Sequence, residues 1–146
     1  MFGKPEASPP PTIIRDLNGL KPHLAQAGYS IEDRPPVEIL GIPMERVRMN
    51  QAGVVSAVGF GGGYFHIVRM IGLTRTLTPK EVVDFNASVQ IFNVTPNDEP
   101  PSAIIKTHVP AQYGAVLQTI IDLLSYSDDA VKKLIAFVGQ SSVRGI

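Results

Sequence analysis

The chain has 146 residues, an apolar fraction of 44%, thirteen basic and thirteen acidic side chains, and no cysteine. That length predicts one domain burying roughly 70% of its unfolded surface, and the apolar content excludes general disorder. Balanced charge offers no global field for nucleic acid or an anionic membrane. The missing thiols exclude disulfides, thiolate nucleophiles and thiolate metal sites, in keeping with the cytoplasm.

Met1 to Pro11 holds four prolines with Gly3 and Ser8 and reads as a flexible, polyproline-like arm. It precedes a single domain over 12–139. Lys4 is followed by Pro5 and Glu6 instead of the apolar core of a secretory signal. Thr12 is placed to cap a first helix, with Ile13, Leu17, Leu20 and Leu24 on one face, and Gly19 and Pro22 predict a kink or two short helices. Gly28 ends it in a left-handed turn that delivers Tyr29 toward the core.

Asp33 to Pro36 reads as a linker, Val37 to Leu40 as a strand and Gly41-Ile42-Pro43 as a turn. From Met44 to Met49 the pattern alternates: Glu45, Val47 and Met49 face one way, Met44, Arg46 and Arg48 the other. A turn at Gln51 to Gly53, a strand at Val54 to Val58, a loop at Phe60 to Gly63 and a strand at Tyr64 to Ile71 complete an antiparallel meander. The apolar run Val54 to Leu73 has the length of a membrane span, but His66, Arg69 and five glycines favour two strands joined by a turn, hence a soluble protein.

Thr78-Pro79-Lys80-Glu81 is a helix start with a capping box. The helix is expected over Pro79 to Gln90, with Val82, Phe85 and Val89 buried. Ile91 to Thr95 reads as a strand, Pro96 to Pro101 as a loop, and Ser102 to Val109 as a strand with Ala103, Ile105 and Thr107 opposite Ile104, Lys106 and His108. Pro110 is expected to open the last helix, whose apolar stripe runs through Leu117, Leu123, Leu124, Val131 and Val138. Ser125 to Asp129 is a candidate break, Gly139 the end, and residues 140–146 a frayed tail.

No catalytic, metal or phosphate constellation emerges. The glycines at 61–63 lead into strand-like residues, not into the helix a phosphate cradle needs. His23, His66 and His108 lack metal-ligand spacing, although His66 and His108 could meet across strands. Asp128 and Asp129 suit helix pairs with Lys132 and Lys133. Arg46 and Arg48, with Arg69 and Arg75, are candidates for a basic groove, but the aromatic interleaving of a single-strand binder is thin.

The order helix, meander, helix, strand, strand and long helix resembles the YbjN family. So do Leu24 to Tyr29 at a helix end, the Gly41-Ile42-Pro43 turn and Asn86 near the end of the middle helix. Members of that family are regarded as bacterial sensory-transduction regulators with a type III secretion chaperone-like fold. The resemblance implies a small α+β domain, commonly a dimer, that binds other polypeptides without catalysis and without a cofactor.

The expected architecture is therefore α+β: an antiparallel sheet meander in the order α-β-β-β-β-α-β-β-α with helices on one face. Its other face would be too apolar to stand in water. Met44, Arg46, Arg48, Tyr64, Val68, Met70 and Ile104 are its candidate partner-binding residues. A protein or peptide client, a homodimer and a cytoplasmic location follow, with nucleic acid and membrane not expected. The rival readings are an assembly protein of a virion or secretion machine, and an enzyme built on His66, His108 and a distant carboxylate.

Overall fold

The computed structural model describes residues 9–51 and 54–144. Residues 1–8 of the proline-rich arm, 52–53 of the turn expected over 51–53, and 145–146 lie outside them. The elements are β1 (Ile13–Ile14), α1 (Leu17–Gln26), β2 (Ser30–Ile39), β3 (Ile42–Gln51), β4 (Val54–Gly61), β5 (Tyr64–Gly72), α2 (Pro79–Ser88), β6 (Asn93–Asp98), β7 (Pro101–Pro110), β8 (Ala115–Val116) and α3 (Leu117–Val138). Six strands form one antiparallel sheet in the order β2-β3-β4-β5-β7-β6, and β1 pairs with β8 beside it. The α+β class holds, and so does the expected order, to which the structure adds the two-residue strands β1 and β8.

All three helices pack on one face of this sheet: α1 against β2, α2 against β6, and α3 against β5 and β7. Strand alternation sends Val47, Val58, Phe65, Ile67, Ile71 and Ile105 into that layer, where each is fully buried. Leu17, Leu20 and Leu24 meet them from α1, and Ile120, Leu124 and Leu134 from α3. Burying one such side chain contributes about 1.5–3 kcal/mol, so this layer carries the fold.

Several boundaries differ from the sequence expectation. Asp16, not Thr12, caps α1: its Oδ1 accepts from the Gly19 amide at 2.7 Å. The helix is one ten-residue element despite Pro22, which sits on the exposed side where water can satisfy the freed carbonyl. The linker at Asp33 to Pro36 is instead part of β2. Its prolines are accommodated because β2 is an edge strand and the pairing shifts between Arg34 and Val37. Ile42 and Pro43 belong to β3, leaving only Leu40 and Gly41 in the turn, both at positive φ as a two-residue hairpin requires. Phe60 and Gly61 likewise extend β4, and the turn is Gly62-Gly63. Gly61 is needed there, since a Cβ would come within 2.5 Å of the Pro43 carbonyl oxygen.

On the other side of the molecule, β6 runs through Asp98 and β7 begins at Pro101, so the expected loop shrinks to a turn around a cis Glu99–Pro100 bond. Pro110 ends β7 and does not open α3, which starts at Leu117. That helix is unbroken for 22 residues. The Ser127 hydroxyl donates to the Leu124 carbonyl at 2.6 Å, so it bonds within the helix instead of capping a new one. Gly139, at φ 86°, ends it as expected. The chain beyond does not fray through Arg144. Val143 is buried and bridges Leu73, and the Arg144 amide donates to the Gly72 carbonyl at 2.8 Å.

Candidate functional site

Strand register decides what the reverse face of the sheet carries. One cross-strand row reads Arg34, Arg46, Gly59, His66, His108; the next reads Glu32, Arg48, Ala57, Val68, Lys106; a third holds Val55, Met70, Ile104 and Thr95. Met44 joins them by lying across β4, with its Sδ 3.0 Å from where a Cβ on Gly59 would stand. Tyr64 is 40% exposed at the start of β5. The seven residues singled out from the sequence therefore share one face.

The middle of this face is apolar and its β2–β3 side is cationic. Val68, Met70 and Ile104 are half-buried, and Val55 is 40% exposed. Two depressions meet at Val55. One, of about 270 Å³, is walled by Arg34, Arg46, Arg48 and Ala57; the other, of about 330 Å³, by Met70, Gly72, Asn97, Ser102 and Arg144. Within the first, the Arg46 Nε donates to the Pro35 carbonyl at 3.0 Å, while the Arg48 Nε is buried without a hydrogen-bond partner. Glu32 lies 3.9 Å from Arg34, too far for a tight ion pair.

His66 and His108 do meet across β5 and β7, with ring centroids 6.2 Å apart, and Tyr64 stands edge-on to His108 at 5.2 Å. Burial pushes the His66 imidazole below its ordinary pKa, and His108 and Lys106 push the same way. The Gly61 carbonyl oxygen, 3.4 Å from His66 Nε2, opposes them. Among the described residues no group of three or more His, Cys, Asp or Glu side chains is placed to hold a metal ion.

The basic groove that would add Arg69 and Arg75 to Arg46 and Arg48 does not form. Arg69 points to the opposite, helix-covered face and is fully buried, and Arg75 pairs with Glu81 at 2.6 Å. Asp128, expected to pair with Lys132, turns to Arg69 instead. The third arginine of the face is Arg34, missed because two prolines follow it. Its alternation with Glu32 just before Pro35-Pro36 is the signal of an edge strand that could have placed it.

This is the architecture of a YbjN-like α+β protein. The chain superposes on the crystal structure of YbjN from E. coli, described as a candidate transcription regulator, with a TM-score of 0.62. The match covers 85% of this chain and 92% of that one at 13% sequence identity. No protein-family model and no curated protein sequence matches the chain. No helix among the described residues is long and apolar enough to cross a membrane.

Proposed function

We propose that the chain is a non-enzymatic regulatory module of the YbjN type that binds a polypeptide, chaperone-like, on the reverse face of its sheet. The observation that carries this reading is the helix-free face itself, where Met44, Val68, Met70 and Ile104 remain only half-buried. Adaptable methionines beside β-branched side chains suit an extended client whose sequence varies. The regulatory description of the E. coli protein with the same fold supports the role. A cytoplasmic location and the absence of a cofactor belong to the same reading.

The homodimer is part of the proposal, but its seam moves from the reverse face expected from the sequence, where Arg34, Arg46 and Arg48 of two copies would repel, to the helical layer. Ile91 and Tyr126, 61% and 53% exposed, line one cleft there, and Phe137 is 43% exposed on the same helix as Tyr126. Light scattering is expected to give the mass of two copies; a monomer mass would remove the dimer and leave the client site standing. The client site is tested with a chemically unfolded, carboxymethylated polypeptide. The native chain should retain it and Val68→Asp should not, with both proteins folded by circular dichroism. Equal retention by the two would overturn the reading.

A further inference from the structure

We infer that the segment docking on this face is acidic, with a carboxylate seated between Arg34, Arg46 and Arg48. The inference rests on the polypeptide-binding reading and specifies its partner. The chain as a whole is neutral, yet its charge is segregated. The reverse face gathers Arg34, Arg46, Arg48, Lys106 and Arg144, whereas Glu32 is the one carboxylate that the paired strands place on it among the described residues.

Two details single out the arginine cluster. Arg34 and Arg46 are direct register partners, and like charges directly opposite one another destabilise a strand pair unless an anion lies between them. The Arg48 Nε is also a buried donor with no acceptor, a costly state that an incoming oxygen would relieve. The depression between these side chains, about 270 Å³, has room for a carboxylate and its stem.

A second copy is a poor occupant, because a face-to-face pairing would set cations against cations. Strand addition at β2 is blocked by Pro35 and Pro36. Nucleic acid fits less well than a peptide: beyond the cluster lie Val55, Ala57, Val68, Met70 and Ile104, which take apolar side chains and offer nothing to a phosphate backbone. The partner chemistry is thus an extended chain with Asp or Glu toward β2 and β3 and apolar residues toward β5 and β7.

The test is selection of random peptides displayed on phage against the full chain, followed by anisotropy with the enriched peptides. Enriched sequences should combine acidic and apolar residues, and their affinity should fall as salt rises. Arg48→Gln and Arg46→Ala should each weaken them by on the order of tenfold or more, and Val68→Asp should abolish binding. Neutral or basic peptides that depend on Val68 but ignore both arginine substitutions would overturn the acidic partner and leave the polypeptide site intact. Peptides indifferent to Val68→Asp, or none enriched at all, would overturn both. Tighter binding of a single-stranded oligonucleotide at the arginines would overturn the peptide in favour of nucleic acid.

Discussion

Arg69 Nη2 lies 2.8 Å from Asp128 Oδ1 and ties the middle of β5 to the middle of α3. The guanidinium is fully buried; the carboxylate is partly exposed, with 31% of its side chain accessible. Nη1 also donates to the Ser56 hydroxyl at 2.6 Å and Nε to the Ser127 hydroxyl at 3.0 Å. The Tyr29 ring sits 5.9 Å from the guanidinium carbon. A buried cation is tolerable because its donors are met and one neighbour carries the opposite charge.

Arg69→Ala should therefore be the most damaging single change, lowering unfolding free energy by about 3–5 kcal/mol in a denaturant titration, since it strands Ser56, Ser127 and part of Asp128 in the interior. Arg69→Met, which refills the volume with an apolar chain, should cost markedly less. If the two variants were equally unstable, packing rather than the polar network would explain the position.

Asn86 secures the far edge of the sheet. Its Oδ1 accepts from the Val94 amide at 2.7 Å and its Nδ2 donates to the Val94 carbonyl at 3.3 Å, so one side chain satisfies both outward groups of an edge strand. Asn86→Ala should destabilise by about 1–3 kcal/mol, because the backbone groups it leaves behind are poorly hydrated. Amide exchange at Val94 should quicken more than at Ile105 on the neighbouring strand; equal changes would argue against a local tether.

Most of the sheet was legible in the sequence because alternation is a local signal. Met44 to Met49 and Ser102 to Val109 assigned their faces correctly without any knowledge of neighbours. The larger errors fall at prolines. Pro35, Pro36 and Pro96 read as loop, yet each lies in a strand at a sheet edge, where a missing amide costs little. Whether a strand is central or at an edge depends on tertiary order, which no local window contains. Arg69 was misread for a related reason. Its alternation with Val68 and Met70 was visible, but an arginine on the inner side is improbable until Ser56, Ser127 and Asp128 converge on it from other elements.

The start of α2 makes a pH prediction. Thr78 Oγ1 accepts from the Glu81 amide at 3.2 Å, Glu81 accepts from the Thr78 amide at 3.0 Å, and Arg75 makes two contacts with the same carboxylate, at 2.6 and 2.9 Å. The Arg75 hydrogen bond, followed by the Thr78 amide, holds the Glu81 carboxyl down to a pKa of about 2. A folded pKa below the unfolded one means stability present above the unfolded value, near 4.5, and lost as pH falls toward 2. Glu81→Gln keeps a capping partner but removes this ionisation, so its stability relative to the native chain should lag at pH 7 and converge with it in strong acid. Thr78→Ala should cost about 1 kcal/mol.

His66 acts in a second pH window. Its neighbours on the reverse face are His108, Lys106, Tyr64 and, across Gly59, Arg46, and burial together with His108 and Lys106 holds the imidazole below its ordinary value. The unfolded chain takes up this proton near pH 6.5, before the folded chain does. Stability attributable to His66 is thus present above that value and drains as pH falls toward the lower folded pKa. His66→Gln should flatten the loss seen in urea titrations between roughly pH 7.5 and 5.5, and the His66 ring signals in a proton-detected titration should shift with a midpoint below 6.5. An acidic segment docked on the same face would act in the opposite sense. It would favour the imidazolium and raise that midpoint, and by linkage its own affinity would increase as the solution is acidified. A midpoint that stays fixed when a tightly held acidic peptide is added would count against a carboxylate beside Arg46, two strands from His66 in the same row.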